Sequence, residues 1–536
     1  MERRGKISEY LAFGFVLILA ELTAFSHLRL SIELSAVNGR DWQIHLINMF
    51  KVYHCHFDFG KILLWYKHTT STILHYPPFN YLISVALWEF LKLPPLAAAY
   101  ASKAVWIFFS ALAMYGVGRL LGGDGWAGIA AAILGILNGL ILDQAQEVSL
   151  ETVVPAALAL VIYGYALSRG YQRLFGSVVL GIALGIGLLT KSVLFIFAAP
   201  FLVFALFFNP FEKESPLIKR LACAAFAASI AVSIASLYYF TFFKEFLAEA
   251  GSESAAYKFR ENLSNVLSYP FPFVISPFML ILALVSIVLQ LRKKDFSFIP
   301  PFATLIISSA YMTTLQTLGC TYFFPFRILF TLIIVRGMKY LKSAYRFVLA
   351  FLLVIIFYVP LLINKPLIKN DPINRFFYPF DKWANYIEIV PRDIQNHIWE
   401  IVDRFACLFK NRYSEYGYKD IGYVIASDMI HIPNMALALV KGNEAWLEDL
   451  DWNTVINVSL AGNDYNEPEM QTIRSKKLVI FTLPEKATGK PYQFLRDIYD
   501  TSLKDERVVD FSFPVTWGFG LPGEFKVLML TKRLSQ

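Results

Sequence analysis

The sequence predicts a polytopic α-helical membrane protein, with about 11 transmembrane helices and a C-terminal α/β domain outside the bilayer. Three observations predict it. Apolar residues make up 56% of the 536 and charged residues only 17%, a balance outside the range of ordinary soluble proteins. The apolar excess is concentrated: from Tyr10 to Asn364 the chain is a series of apolar runs of about 17 to 25 residues, the length of a helix that crosses a bilayer. After Lys365 no such run occurs, and strand-period and helix-period patterns alternate instead.

The runs lie at 10–28, 97–119, 126–142, 152–168, 174–190, 193–209, 217–240, 272–291, 298–317, 323–338 and 346–364. The first follows a basic start, Met1-Glu-Arg-Arg-Gly-Lys6, and lacks a small-residue cleavage site, so it is read as a retained span with its start on the cytoplasmic side. A shorter run, 79–91, is bounded by His75-Tyr-Pro-Pro78 and by Lys92-Leu-Pro-Pro95. If this run does not cross, the Lys- and Arg-bearing loops 119–124, 168–173, 209–220, 292–295 and 339–346 all share the side of the basic N-terminus. Were it to cross, all of them would lie outside, against the insertion bias. It is therefore read as an interfacial helix within a long external loop, 29–95. The net charge of +8 then reflects topology and not a surface for nucleic acid. Four scattered cysteines, with no paired spacing, indicate neither a zinc site nor a disulfide framework.

Residues 1–364 thus form the membrane domain, 365–420 an amphipathic linker and 421–536 an external α/β domain. Strands are expected at 421–426, 455–460, 478–483, 508–513 and 525–530, with helices between, as a small, mostly parallel sheet covered on both faces. No GxGxxG or P-loop follows a strand, so no nucleotide site is indicated. The domain is expected to bind an acceptor, to cover the membrane site or to act as a structural cap. Asn262-Leu-Ser and Asn457-Val-Ser are external sequons under this topology.

Ionisable residues gather at the external boundary. Asp41, in Asn38-Gly-Arg-Asp-Trp-Gln-Ile-His45, opens an amphipathic stretch and suits a general base, a metal ligand or a helix N-cap. Asp143-Gln-Ala-Gln-Glu-Val-Ser-Leu-Glu151 places three carboxylates together, and Glu147 and Glu151 share a face if helical. Acids near lipid need a cation or a hydroxyl-bearing substrate to offset them, unless the loop is simply solvated. Lys191, in Leu188-Leu-Thr-Lys-Ser192, breaks the positive-inside pattern, and pairing with phosphate or carboxylate explains it, with snorkelling as the plainer account. Arg327, in Tyr322-Phe-Phe-Pro-Phe-Arg327, carries the same argument more weakly. His75 and Tyr76 precede the rigid Pro77-Pro78 turn.

In order and in sidedness these elements resemble the glycosyltransferase C superfamily of polyprenyl-phosphate-sugar-dependent membrane enzymes, in particular the protein O-mannosyltransferases and the aminoarabinose transferases of lipid A. That family has an acid in the first external loop, a His-Pro-Pro or Lys-Pro-Pro element before a partly immersed helix, an acid at the fourth span and a Leu-Thr-Lys turn after the fifth. The matching residues are Asp41, His75 to Pro78, Glu147 or Glu151, and Thr190-Lys191. The likeness covers roughly residues 1–240, and it departs at Trp42, where the family commonly has a second acid.

The resemblance implies a polyprenyl-phosphate-linked sugar donor and a lipid, glycan or protein acceptor. In the implied inverting transfer Asp41 is the base, Lys191 and Arg327 neutralise the phosphate, and Asp143, Glu147 and Glu151 hold hydroxyls. His75 and Tyr76 flank the donor, and a divalent metal on Asp41 and Glu147 is compatible with it though not required by the sequence. A plasma or endoplasmic reticulum membrane is expected, with the N-terminus cytoplasmic and the C-terminal domain outside. A transporter predicts charges at the bilayer midplane and repeated halves, neither of which the sequence has. A non-catalytic receptor or scaffold leaves the acidic segment and Lys191 without a role.

Overall fold

The computed structural model describes residues 2–34, 42–58, 60–62, 77–93, 95–138, 141, 150, 152–211, 215–241, 266, 274–313, 320–359, 404, 406–408, 410–411, 421–425, 455–457, 478–484, 499–500, 503–504, 507–516 and 522–530. The chain divides into two compact units, residues 1–39 with 76–389 and residues 40–75 with 390–536.

The first unit is a helical bundle and the chain is a polytopic membrane protein. Its helices are α1 (Glu2–Leu34), α3 (Phe79–Leu91), α4 (Pro95–Gly122), α5 (Gly125–Gly135), α6 (Val153–Leu167), α7 (Leu174–Leu188), α8 (Leu194–Phe207), α9 (Leu217–Tyr239), α10 (Pro277–Arg292), α11 (Ile299–Met312), α12 (Phe324–Met338) and α13 (Ser343–Leu353). A π-helical turn, Val354–Tyr358, continues α13. A helix lies at every one of the eleven apolar runs. Three stretches, Glu9–Arg29, Ala97–Gly122 and Leu217–Ser236, are 21, 26 and 20 residues long and apolar enough to cross a membrane.

The other helices are shorter, and α5 shows why run length and helix length differ. Its N-terminus is fixed by Asp124, whose side chain accepts from the Ala127 amide. The apolar run continues to Leu142, yet the helix stops at Gly135, where the amides of Ile136 and Leu137 both turn back to the Ala132 carbonyl. The 13-residue α3 has the bounds the prolines on either side predict. At 1.5 Å per residue it is about 20 Å long, short of a hydrocarbon core of roughly 30 Å.

The basic loops meet on one face, as the charge pattern predicts. Arg119 pairs with Glu9 at 2.9 Å. Arg346 pairs with Asp124 at 3.2 Å and donates to the Gly122 carbonyl. Arg336 joins Asp295 at 2.7 Å, Ser297 at 3.0 Å and the Leu121 carbonyl at 3.3 Å. The Tyr340 hydroxyl also bonds Asp295. The loops around residues 170 and 210 join through Gln172, which accepts from the Ser215 amide at 3.1 Å. Both groups line one cavity, to which Leu121, Tyr165, Pro210, Ser297 and Arg336 contribute. Burial pushes the Asp295 carboxyl up, but Tyr340, Arg336 and Ser297 outweigh it and hold the group below the ordinary carboxylate range. Burial and Asp295 together push the Tyr340 hydroxyl to about 12.

Two seams show how the bundle closes. Every residue of α12 except Phe330 is buried, so this helix is the centre of the unit. Between α7 and α9, a Cβ at Gly181 would lie 2.6 Å from the Ala227 carbonyl oxygen and one at Gly185 would lie 2.8 Å from the Ile234 Cβ. Small residues four apart let the two backbones touch, which is how helices associate where lipid removes the hydrophobic drive.

The second unit holds α2 (Trp42–His54) and the sheet. Leu46, Met49, Val52 and Cys55 are buried along one side of that stretch, the amphipathic pattern expected after Asp41. The strands are β1 (Ile421–Ile425), β2 (Val455–Asn457), β3 (Leu478–Pro484), β4 (Arg507–Thr516) and β5 (Pro522–Leu530), in the order β2-β1-β3-β5-β4. All five expected strands are present. Parallel pairing is confined to β2-β1-β3, while β3-β5 and β5-β4 are antiparallel, so the sheet is mixed where a mostly parallel one was expected. The physical reason is the link between β4 and β5, which is too short for a parallel crossover of about a dozen residues or more. Leu478, Val479, Val527 and Leu528 form its buried centre. Residues 499–500 and 503–504 are helical; the other expected helices of this domain lie outside the described residues. In the expected linker, residues 404, 406–408 and 410–411 are helical.

Candidate functional site

The described part of the site lies in the first unit, on the face opposite the ion-paired loops. The direction follows from the helices: α12 carries Arg336 in its last turn on the basic face and Arg327 in its first turn, and α7 leaves the basic face and ends at Leu188.

Lys191 sits in the turn between α7 and α8. The turn forms because the Thr190 and Lys191 amides both return to the Gly187 carbonyl, and the Leu194 amide then bonds the Lys191 carbonyl to start α8. Two other elements hold it in place. The Phe79 amide, at the start of α3, donates to the Leu189 carbonyl at 3.0 Å, and the Tyr239 hydroxyl donates to the Leu188 carbonyl at 3.0 Å. The lysine is 8% exposed, with its Nζ 5.5 Å from the centre of the Tyr322 ring. An aromatic face stabilises a cation there. The start of the short helix thus meets the predicted lysine turn at Phe79. Asn80 locks the same helix to α4 by accepting from Trp106 Nε1 at 3.0 Å.

Arg327 is 1% exposed. Its Nε donates to the Leu134 carbonyl at 2.7 Å and its Nη1 to the Val274 carbonyl at 3.2 Å. The Phe357 ring, in the π turn, lies 5.7 Å from the guanidinium carbon. Among the described residues Arg327 has no carboxylate partner. Next along the π turn, the Tyr358 hydroxyl donates to the Leu19 carbonyl at 3.0 Å and meets Thr23 Oγ1 at 3.1 Å.

Two further basic groups in this half were not singled out from the sequence. His27 on α1 and Lys103 on α4 are 4% and 2% exposed and lie within electrostatic reach of one another, and His27 packs edge-on to Tyr100. The available signal was Lys103 itself, an ionisable residue within an apolar helix, which by default marks a functional position. Tyr322 and Phe357, the aromatic neighbours of the two predicted cations, could not be assigned without the fold.

Of the other expected site residues, Asp41, His75, Tyr76, Asp143, Glu147 and Glu151 lie outside the described residues. Both metal candidates, Asp41 and Glu147, are among them. Among the described residues no group of three or more His, Cys, Asp or Glu side chains comes together.

No protein-family model matches the sequence, and no curated protein matches it. Solved structures do. ArnT from Cupriavidus metallidurans in the apo state superposes with a TM-score of 0.52 at 13% identity, over 97% of this chain and 98% of that one. The same protein bound to undecaprenyl phosphate gives 0.50 at 13% identity, over 98% and 99%. The chain has the glycosyltransferase C fold. An oligosaccharyltransferase of this fold, from Archaeoglobus fulgidus and tethered to an acceptor peptide, aligns with a TM-score of 0.50 at 13% identity, over 87% of this chain and 68% of that one. The glycosyltransferase C likeness therefore runs through the C-terminal domain as well, beyond the roughly 240 residues over which sequence elements suggest it.

Proposed function

We propose that this chain is a membrane glycosyltransferase that moves one sugar from a polyprenyl-phosphate donor to an acceptor on the face opposite its N-terminus. The observation that carries the reading is the pair of buried cations, Lys191 and Arg327, on that face of a chain sharing the fold of ArnT from end to end. A positive charge held in a low-dielectric bundle attracts a phosphate far more strongly than the same charge in water. A lipid-linked donor also accounts for a membrane-embedded enzyme, since the isoprenoid tail never leaves the hydrocarbon.

In this mechanism Asp41 takes the proton of the acceptor hydroxyl as that oxygen attacks the anomeric carbon. The bond from that carbon to the phosphate oxygen breaks, the configuration inverts, and polyprenyl phosphate leaves with the electron pair. Lys191 neutralises the phosphate as its charge develops, and Arg327 adds a second positive charge to the same half of the bundle. His75 and Tyr76 bind the donor phosphate. Asp143, Glu147 and Glu151 hold sugar or acceptor hydroxyls. Asp41 and Glu147 are the residues that would hold a divalent metal, whose chemistry would be to polarise the phosphate. The acceptor is a lipid, a glycan or a protein; the oligosaccharyltransferase of like fold is tethered to an acceptor peptide, whereas the undecaprenyl phosphate bound by ArnT is of the class of the leaving polyprenyl phosphate.

The test is sugar transfer by the purified protein from radiolabelled polyprenyl-phosphate sugars. Asp41→Asn is expected to abolish transfer while leaving the protein inserted and folded. Full activity in that variant removes Asp41 from the chemistry.

A further inference from the structure

We infer that Arg327 is a positioning residue, which fixes where the chain enters the acid-bearing segment 142–151 and where the external segment 242–273 returns to the bundle. The inference rests on the transferase reading above and gives one of its cations a second task.

Helix α5 ends at Gly135, before its apolar run does. A helix that stops inside an apolar bundle leaves its last carbonyls without partners. Irregular backbone at that depth persists only where protein groups satisfy it. The Leu134 carbonyl, in the last turn of α5, accepts from Arg327 Nε at 2.7 Å and from Asn138 Nδ2 at 3.4 Å. Asn138 also bonds the Ile133 carbonyl and accepts from the Ile141 amide, each at 3.4 Å, which turns the chain toward residue 142. A cation at a helix C-terminus is favoured by the helix dipole as well.

The same guanidinium reaches a second boundary. Its Nη1 bonds the Val274 carbonyl, two residues before Ser276, which caps the N-terminus of α10 by accepting from the Met279 amide at 3.2 Å. One planar fork therefore holds two segments distant in sequence, which an ammonium, as a point charge on a flexible stem, cannot do in the same geometry. Phe357 closes over it from the π turn, and Tyr358 anchors that turn to α1. A side chain serving only to neutralise a phosphate has no need to commit Nε and Nη1 to backbone carbonyls.

Arg327→Lys keeps the charge and removes the fork, and it is tested in the full-length protein by steady-state transfer and by amide hydrogen exchange. The expected result is a fall in kcat of about tenfold or more, with donor KM within about twofold of wild type. Exchange across 136–151 and 242–276 is expected to rise about threefold or more. A donor KM raised about tenfold with kcat and exchange unchanged would make Arg327 a phosphate ligand only, and overturns the inference; so does a variant unchanged in all three. If Arg327→Lys does not fold, Arg327→Gln keeps a side-chain donor and loses the fork; exchange across 136–151 and 242–276 should then rise, and unchanged exchange in that variant overturns the inference. A wild-type protein that transfers sugar from no polyprenyl-phosphate donor defeats the transferase reading instead, and the exchange measurement still decides whether Arg327 clamps the two segments.

Discussion

The two ends of α12 carry one arginine each, both buried, and they are satisfied in opposite ways. Arg336 faces a carboxylate, Asp295, reinforced by Ser297 and Tyr340. Arg327 faces two carbonyls and an aromatic ring, with no carboxylate among the described residues. The first arrangement cancels its charge; in the second, no carboxylate among the described residues offsets the guanidinium. Charge left uncompensated at that depth is costly unless an anion arrives. The contrast gives the basic face the task of holding the helices together and, on the transferase reading, leaves the opposite face for a phosphate.

The largest effect expected from the comparison is on the basic face. Arg336→Met leaves the largely enclosed Asp295 without its cation and should cost up to roughly 3 kcal/mol of stability, read as a lower thermal midpoint in detergent. Transfer per folded molecule should be close to wild type. On the opposite face Lys191→Met should do the reverse, cutting kcat by about a hundredfold or more with the thermal midpoint retained. If the two variants behaved alike, the division between a holding face and a working face would be broken.

A pH series sharpens the same contrast. The Asp295 carboxyl is depressed in the folded protein, so the stability it supplies is present above the unfolded carboxylate value of about 3.9 and is lost as pH falls through the lower folded value. The Tyr340 hydroxyl is raised to about 12, so its contribution is intact below about 10 and is lost as pH rises through the folded value. Asp295→Asn should flatten the acid limb of the stability profile relative to wild type, and a limb left unchanged would mean that other carboxylates govern it. Tyr340→Phe should cost about 1 kcal/mol, the net worth of one hydrogen bond. The smallest effect belongs to the exposed Arg119–Glu9 pair, where Glu9→Gln should change stability by less than about 1 kcal/mol.

Much of this architecture was legible in the amino-acid order because the bilayer imposes its own ruler. Apolar length located each helix, prolines bounded α3, and basic loops assembled on one face as the charge pattern required. The break in α5 was not legible, since Ile136, Leu137 and Ile141 extend the apolar run whether or not the backbone stays helical. Nor was the mixed sheet, because strand-period patterning at β4 and β5 does not report direction, and the short link between them had to be weighed against it. In the site, Lys191 stood out by interrupting an apolar turn, whereas Tyr322 and Val274 became its neighbour and the partner of Arg327 only through the fold. Lys103 is also legible, as an ionisable residue within an apolar helix.

The meeting of α7 and α9 at Gly181 and Gly185 has an evolutionary meaning. Where a hydrogen atom is the whole side chain, mutation can only add bulk, and added bulk there means prising two membrane helices apart. Neighbouring lipid-facing positions can drift among leucine, valine and phenylalanine at small cost. At these two glycines the chain's freedom to vary should be narrow.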